Sequence, residues 1–327
     1  MSAASPHYVA LSGGVGGAKL SLGLASLLAD RLSLIVNTGD DFEHLGLYVS
    51  PDLDTALYTL AGVVNPATGW GLSGETWTFM TALAKLGGPG WFKLGDGDLA
   101  THVLRTDRLK DGATLTAVCA ELARHFSIAA RILPMCDEPL RTLVETEVGT
   151  LAFQDYFVRE QCRPRLRQIR FVGVPQAKPT AQVLAALANP LLAGIIICPS
   201  NPYLSVDPIL AVPGLRAALK RAGAPIVAVS PLIAGQAVKG PTAKIMAELG
   251  VAADSRSVAR YYAGLVDGFI IDAADAGLAA DIAVPVKVTK TLMATLDDKI
   301  ALARTCLAFC GELGAAGAEA GPVLTQR

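Results

Sequence analysis

Short apolar runs, each closed by a polar or glycine-rich turn, recur along the chain. Tyr8–Leu11 leads into SGG, and Leu32–Val36 ends at NTGDD. Runs that are apolar at consecutive rather than alternate positions predict strands covered on both faces. Between these two, apolar residues return at helical intervals from about Lys19 to Asp30, so the chain opens as a β-α-β unit. GIIICPSNP (194–202), APIVAVSPLIAG (224–235), LVDGFIIDAAD (265–275) and IAVPVKVTK (282–290) repeat the strand-then-turn pattern. The predicted fold is therefore α/β, a Rossmann-like, doubly wound and mostly parallel sheet. Residues 1–61 and 171–312 are expected to form its Rossmann-like core. Within 62–170 the period changes to helical segments such as GETWTFMTALAKLGG and DGATLTAVCAELARHF, which predict an inserted helical subdomain over the ligand edge. Residues 313–327 lack periodicity and are expected to form a flexible tail.

Composition narrows the possible partners. The chain has 327 residues, 28 of them Lys or Arg and 29 Asp or Glu, for a formal charge of -1. That balance argues against a nucleic-acid polyanion as partner. Although 52% of residues are hydrophobic, runs such as LAGIIIC (192–198) fall far short of the ~20 residues that span a bilayer. No membrane association is expected, and MSAASPHYVALSGG has no secretory pattern. The six cysteines form no C-x-x-C pair. They are expected to be reduced core residues, which places the protein in the cytoplasm.

The stretch SGGVGGAKLSLGLASLL (12–28) raises the question of a ligand. Bare backbone N–H groups at a helix start favour an anion such as phosphate. Neither common motif fits. A Walker loop read from Gly13 has Ala18 in place of glycine and Leu20 in place of the hydroxyl residue. A dinucleotide fingerprint read from Gly14 keeps Gly16 but meets Lys19 where the third glycine belongs. A tight turn without ligand would use the same glycines, but it would not ask for the cation of Lys19.

Ligands of open α/β sheets sit beyond the C-terminal strand ends. The polar clusters follow those ends: the glycine loop, NTGDD (Asn37–Asp41), PSNP (Pro199–Pro202) and SPLIAGQAVKGPTAK (Ser230–Lys244). In SPDLDTALYTLAG (50–62), Asp52 and Asp54 suit a helix start, as cap and first-turn residue, and equally suit orienting a hydroxyl, accepting its proton or holding a divalent metal. WFKLGDGDLATHVLRT (91–106) offers Lys93 beside Trp91 and Phe92, a setting for a flat ring or an anion. It also carries Asp96, Asp98 and His102, with Asp98 a possible cap. Lys239 and Lys244 bracket GPTA at a predicted helix start, as phosphate ligands or as solvated surface lysines.

The ordered set SGGVGGAK, NTGDDFEHLGLYVSPDLDT, WFKLGDGDLATH, ILPMCDEP, FQDYFV, PSNP and SPLIAGQAVKGPTAK, spanning about residues 8 to 295, resembles the 2-phospho-L-lactate transferase family of coenzyme F420 biosynthesis. The resemblance implies a transferase that moves a 2-phospholactyl or enolpyruvyl-phosphate group from a guanosine diphospho-acid donor to the terminal ribityl hydroxyl of the deazaflavin Fo. GMP is released, Mg²⁺ assists, and the protein is a homodimer. It implies deazaflavin contacts at Asp54 and Lys93. The nucleotide side then falls on Gly14, Gly16, Gly17, Lys19, Asn37, Ser200, Asn201, Ser230, Lys239 and Lys244. Asp40, Asp41 and Asp52 are the candidates for the metal or its waters, and Asp54 with Asp52 for the catalytic role. Val15 stands where the family commonly has threonine, and Gly39 where it commonly has alanine. A non-enzymatic, nucleotide-sugar-binding regulator of the gluconeogenesis-factor family shares the glycine-loop sheet and is the alternative. The PDLDT and KLGD segments favour the transferase.

Overall fold

The computed structural model describes residues 5–319. Its centre is a seven-stranded sheet made of β1 (His7–Ser12), β2 (Leu32–Val36), β3 (Arg131–Pro134), β4 (Leu192–Ile197), β5 (Ile226–Val229), β6 (Gly268–Asp272) and β7 (Val286–Thr289). The spatial order is β7-β6-β5-β4-β1-β2-β3, and every neighbouring pair is parallel. The chain therefore builds outward from β1 in one direction through β2 and β3, then crosses to β4 and builds the other way. The topological switch lies between β1 and β4, where the glycine loop and PSNP leave the sheet.

Side-chain alternation divides the strands between two cores. Val9 and Leu11 of β1 join Ile35, Ile195 and Ile197 on one face. Tyr8 and Ala10 join Leu34, Val36 and Ile196 on the other. Helix α1 (Gly14–Leu28) lies on this second face beside the C-terminal helix Leu296–Glu319. The two approach so closely at Gly23 that a Cβ there would stand 2.2 Å from the Lys299 carbonyl oxygen.

Three expectations need correcting. Helix α1 begins at Gly14, not near Lys19, because Gly13 is extended and Gly14 takes a φ of 61° that turns strand directly into helix. Segment 62–170 is not wholly an insertion, since its Arg131–Pro134 is the edge strand β3. Nor is it all helical: Arg141–Thr146 is the middle strand of a three-stranded antiparallel sheet, between Gly149–Ala152 and Leu166–Val172. Within the expected tail, Leu313–Glu319 continues the C-terminal helix, and 320–327 lie outside the described residues.

The connection from β2 to β3 supplies one wall of the site. It consists of the hairpin Phe42–His44/Leu47–Val49 and helices α2 (Pro51–Leu60), α3 (Thr78–Lys85), α4 (Asp96–Lys110) and α5 (Leu115–His125). Pro51 fits the first turn of α2, where a missing N–H costs no hydrogen bond. Among the described residues no helix is long and apolar enough to cross a membrane.

Candidate functional site

A cavity of about 420 Å³ runs along the C-terminal strand ends, from the glycine loop past α2 to α4. Its floor is the start of α1. Ser200 Oγ donates to the Gly13 carbonyl at 2.8 Å and accepts the Gly13 N–H at 3.1 Å, which locks PSNP onto the loop. The glycines are required by this packing. A Cβ on Gly13 would lie 2.6 Å from Ser205 Cβ, one on Gly16 2.5 Å from the Pro199 carbonyl oxygen, and one on Gly17 2.5 Å from Ser200 Oγ. Asn201 Oδ1 caps Tyr203 N and Leu204 N at 3.0 and 3.1 Å, while its buried Nδ2 has no partner among the described residues. Because Asn201 is on the cavity wall, that amide is available to a ligand oxygen.

Two cations stand over the loop. Lys19 Nζ donates to the Met293 carbonyl at 3.1 Å, and Lys239 Nζ donates to the Thr68 carbonyl. Both line the cavity. Burial lowers the Lys19 pKa, and the charges of Lys239 and Lys299 lower it further, so a bound anion here would relieve mutual repulsion. Val15 reaches over to Gly69, where a Cβ would meet its Cγ1 at 2.7 Å.

The carboxylates follow along the wall. Asp52 is not the cap of α2; Ser50 precedes the helix, and the Asp52 side chain turns to the glycine loop. Its Oδ1 accepts Gly14 N–H at 2.8 Å and its Oδ2 accepts Asn37 Nδ2–H at 2.9 Å. Burial pushes its pKa up to about 6, opposed by those two hydrogen bonds. Burial and then the negative charge of Asp52 raise Asp40 well above the usual carboxylate range, and Asp40 Oδ1 is buried without a partner among the described residues. Two buried carboxylates that repel one another, one with an orphaned oxygen, make a donor set suited to a divalent cation.

At the far end α4 packs on α2. Asp98, His102 and Arg105 recur at i, i+4 and i+7, on one face of α4, opposite Asp54 and Tyr58, four apart on α2. Arg105 grips Asp54 bidentately, with Nη1 to Oδ2 at 3.1 Å and Nη2 to Oδ1. Its side chain is only 1% exposed and that of Asp54 7%, so each neutralises a charge that burial alone would forbid. His102 Nδ1 lies 3.2 Å from Arg105 Nη1, and its Nε2 lies 3.3 Å from Asp98 Oδ2. Arginine only donates, so Nδ1 presents its lone pair and Nε2 carries the proton, close to Asp98 but outside hydrogen-bond geometry. Tyr58 completes the set, its OH donating to Asp98 Oδ1 at 2.6 Å. Lys93 is exposed at this end of the cavity. Beside it, Phe92 meets Phe42 edge-on at 4.8 Å between centroids, and the Arg159 guanidinium sits 4.3 Å over Trp91. Phe153 and Phe157, stacked 5.3 Å apart, and half-exposed Trp70 give the cavity flat apolar surface.

The structure thus brings Gly14, Gly16, Lys19, Asp40, Asp52, Asp54, Lys93, Ser200, Asn201, Ser230 and Lys239 to one cavity. Four expected residues stand off its wall. Gly17 packs inward against Ser200 and Ser12. Asn37 is fully buried and holds Asp52. Asp41 is buried off the cavity wall, its Oδ2 accepting from Ser50 Oγ at 2.8 Å and Tyr48 OH at 3.1 Å and its Oδ1 without a partner among the described residues, so it does not join Asp40 and Asp52 at the cavity. Among the described residues no three His, Cys, Asp or Glu side chains group as metal ligands. Lys244 turns away to Glu248 Oε1 at 2.6 Å and the Pro164 carbonyl at 3.2 Å. The sequence analysis does not single out Arg105, and it offers Asp98 and His102 without a role beyond a helix cap; their common helical face is the available signal.

The chain is similar to known proteins along most of its length. The family described as 2-phospho-L-lactate transferase CofD matches residues 8–299. The phosphoenolpyruvate transferase of Streptomyces griseus subsp. griseus is 39% identical over 319 residues, covering 94% of this chain and 100% of that protein. The 2-phospho-L-lactate transferase of Methanosarcina mazei is 38% identical over 268 residues, covering 82% of this chain and 87% of its own. Among solved structures, a UPF0052-family protein from Bacillus halodurans superposes with a TM-score of 0.60 at 15% identity, covering 93% of this chain and 99% of the other, a likeness of fold alone. The chain is a transferase and belongs to the 2-phospho-L-lactate transferase family.

Proposed function

We propose that the protein transfers a 2-phospholactyl or enolpyruvyl-phosphate group from a guanosine diphospho-acid to the terminal ribityl hydroxyl of the deazaflavin Fo, releasing GMP, in coenzyme F420 biosynthesis. The observation that carries this reading is the division of one cavity into an anion end and a ring end, with carboxylates between them. The glycine loop, Lys19, Lys239 and the free amide of Asn201 suit a diphosphate. The aromatic wall and Lys93 suit a flat, electron-poor ring system.

In this reading Asp54, fixed by Arg105, orients the acceptor hydroxyl. The acceptor oxygen bonds to the phosphorus that bears the acid, and the bridge to the nucleotide breaks. GMP leaves with the bridging oxygen, and the acceptor proton passes to Asp54. Phosphoryl transfer has a loose transition state in which positioning and charge neutralisation outweigh base strength, so a paired carboxylate suffices. Asp40 and Asp52 are the residues that would hold Mg²⁺, in the manner of one or two carboxylates completed by substrate phosphates. When bound, the ion would neutralise charge on the diphosphate.

The test is to incubate the protein with Fo, Mg²⁺ and each donor in turn, the lactate and the enolpyruvate form, and to follow GMP release and the mass of the deazaflavin product. Product with either donor supports the reading. Folded protein that yields none, yet binds a uridine nucleotide-sugar, would instead point to the regulator.

A further inference from the structure

Beyond the glycine loop the cavity continues past PSNP to the end of β5, where Ser230 lies on its wall and is 2% exposed. The direction of the Ser230 hydroxyl is set from behind. Ser255 Oγ lies 3.2 Å from Asp275 Oδ2, and a carboxylate only accepts, so the single proton of Ser255 goes to Asp275. Ser230 Oγ is 2.9 Å from Ser255 Oγ and must then be the donor in that pair. Among the described residues its one other partner as donor is the Leu232 carbonyl, at 3.3 Å. In both arrangements the proton points into the protein. On the acceptor side the Leu232 N–H, at 3.2 Å, uses one of the two lone pairs. With its proton engaged inside the protein, Ser230 Oγ keeps one lone pair uncommitted, and in that arrangement it accepts from a ligand and does not donate to one.

That polarity is wrong for a phosphate oxygen and right for an N–H. Its position agrees. The loop that suits phosphate follows β1, and β5 is two strands away with β4 between, so Ser230 stands about 10 Å along the crevice at ordinary strand spacing. This is the reach of a nucleoside from its 5′-phosphate to its base. Asp275 Oδ2 also accepts the Ala234 N–H at 3.3 Å, so the same carboxylate pins the loop that follows Ser230.

We infer that Ser230 is a specificity residue that accepts a hydrogen bond from the ring N–H of the bound base, held in that polarity by Ser255 and Asp275. Guanine carries a proton on ring nitrogen 1. Adenine presents a lone pair there, which would face the lone pair of Ser230 and leave both unpaired. The inference rests on the guanine-nucleotide reading given above and assigns the base to the Ser230 end of the cavity.

The test is calorimetric titration of the full chain with GMP, AMP and N1-methyl-GMP. The wild-type protein is expected to bind GMP about tenfold or more tighter than either analogue, the cost of an unpaired buried acceptor. Ser230→Ala is expected to bring GMP and AMP to within about threefold, through lost GMP affinity, with the thermal melt showing that the variant is folded. Equal wild-type affinity for GMP and N1-methyl-GMP overturns the inference without needing any variant, as does a folded Ser230→Ala protein that keeps the full preference for GMP. Binding of none of the three by folded wild-type protein removes the nucleotide reading itself and the inference with it, a result distinct from binding without discrimination.

Discussion

The two ends of the cavity are built on different principles. The anion end is mostly backbone: glycines whose missing Cβ atoms let PSNP and Asp52 press against the start of α1. The acceptor end is mostly side chains, with Arg105 reaching Asp54 across 51 positions of sequence. A backbone site is specified by a few consecutive residues and tolerates little added volume. A side-chain site is specified by pairing, and it fails when one partner of a buried pair is removed. The two ends should therefore respond differently to mutation, and the following experiments test that contrast from the largest expected effect to the smallest.

Asp54→Asn should lower kcat by about 100-fold or more and, because it leaves the buried Arg105 guanidinium without its counter-charge, should also destabilise the fold, while the protein that remains folded keeps its GMP affinity. Steady-state kinetics and calorimetry together check this; unchanged turnover would remove Asp54 from its role. Arg105→Leu should destabilise the fold by about 3–5 kcal/mol, since it strands the buried Asp54 carboxylate. Denaturant unfolding measures the loss, and Arg105→Lys should recover part of it. Gly16→Ala should cost about 1–3 kcal/mol, because its Cβ would meet backbone, the Pro199 carbonyl, and not a movable side chain. Unlike Asp54→Asn, it should weaken GMP binding. Lys239→Ala should weaken GMP by about fivefold at low salt and less at high salt, the signature of an exposed cation acting on an anion. Val15→Thr is the mildest change, an expected gain in donor affinity of about twofold through one added hydroxyl.

The same contrast explains what the sequence disclosed. The glycine loop, NTGDD and PSNP were legible because each is a local run whose chemistry is complete within a few residues. The strand pattern gave the sheet for the same reason, except for β3: RILP is too short, and begins with an exposed arginine, so it does not read as a buried strand. Lys244 illustrates the opposite error. A lysine at a helix start beside a glycine turn looks like a phosphate ligand, but only the fold decides which way it faces, and it faces Glu248. Asp41 looked equivalent to Asp40 in NTGDD, yet adjacent residues point apart, and Asp41 turns to Ser50 and Tyr48 while Asp40 reaches the cavity. Arg105 was invisible as a functional residue because its role exists only once α4 is laid against α2.

The central claim is that one cavity accepts a deazaflavin at its aromatic end beside a guanine nucleotide at its glycine end. Fluorescence titration of the purified protein with Fo, alone and with GDP and Mg²⁺, tests it most directly. Saturable binding that persists or tightens when GDP and Mg²⁺ are present is the predicted result. Folded protein that binds no Fo under any of these conditions, or Fo that GDP displaces competitively, would contradict it.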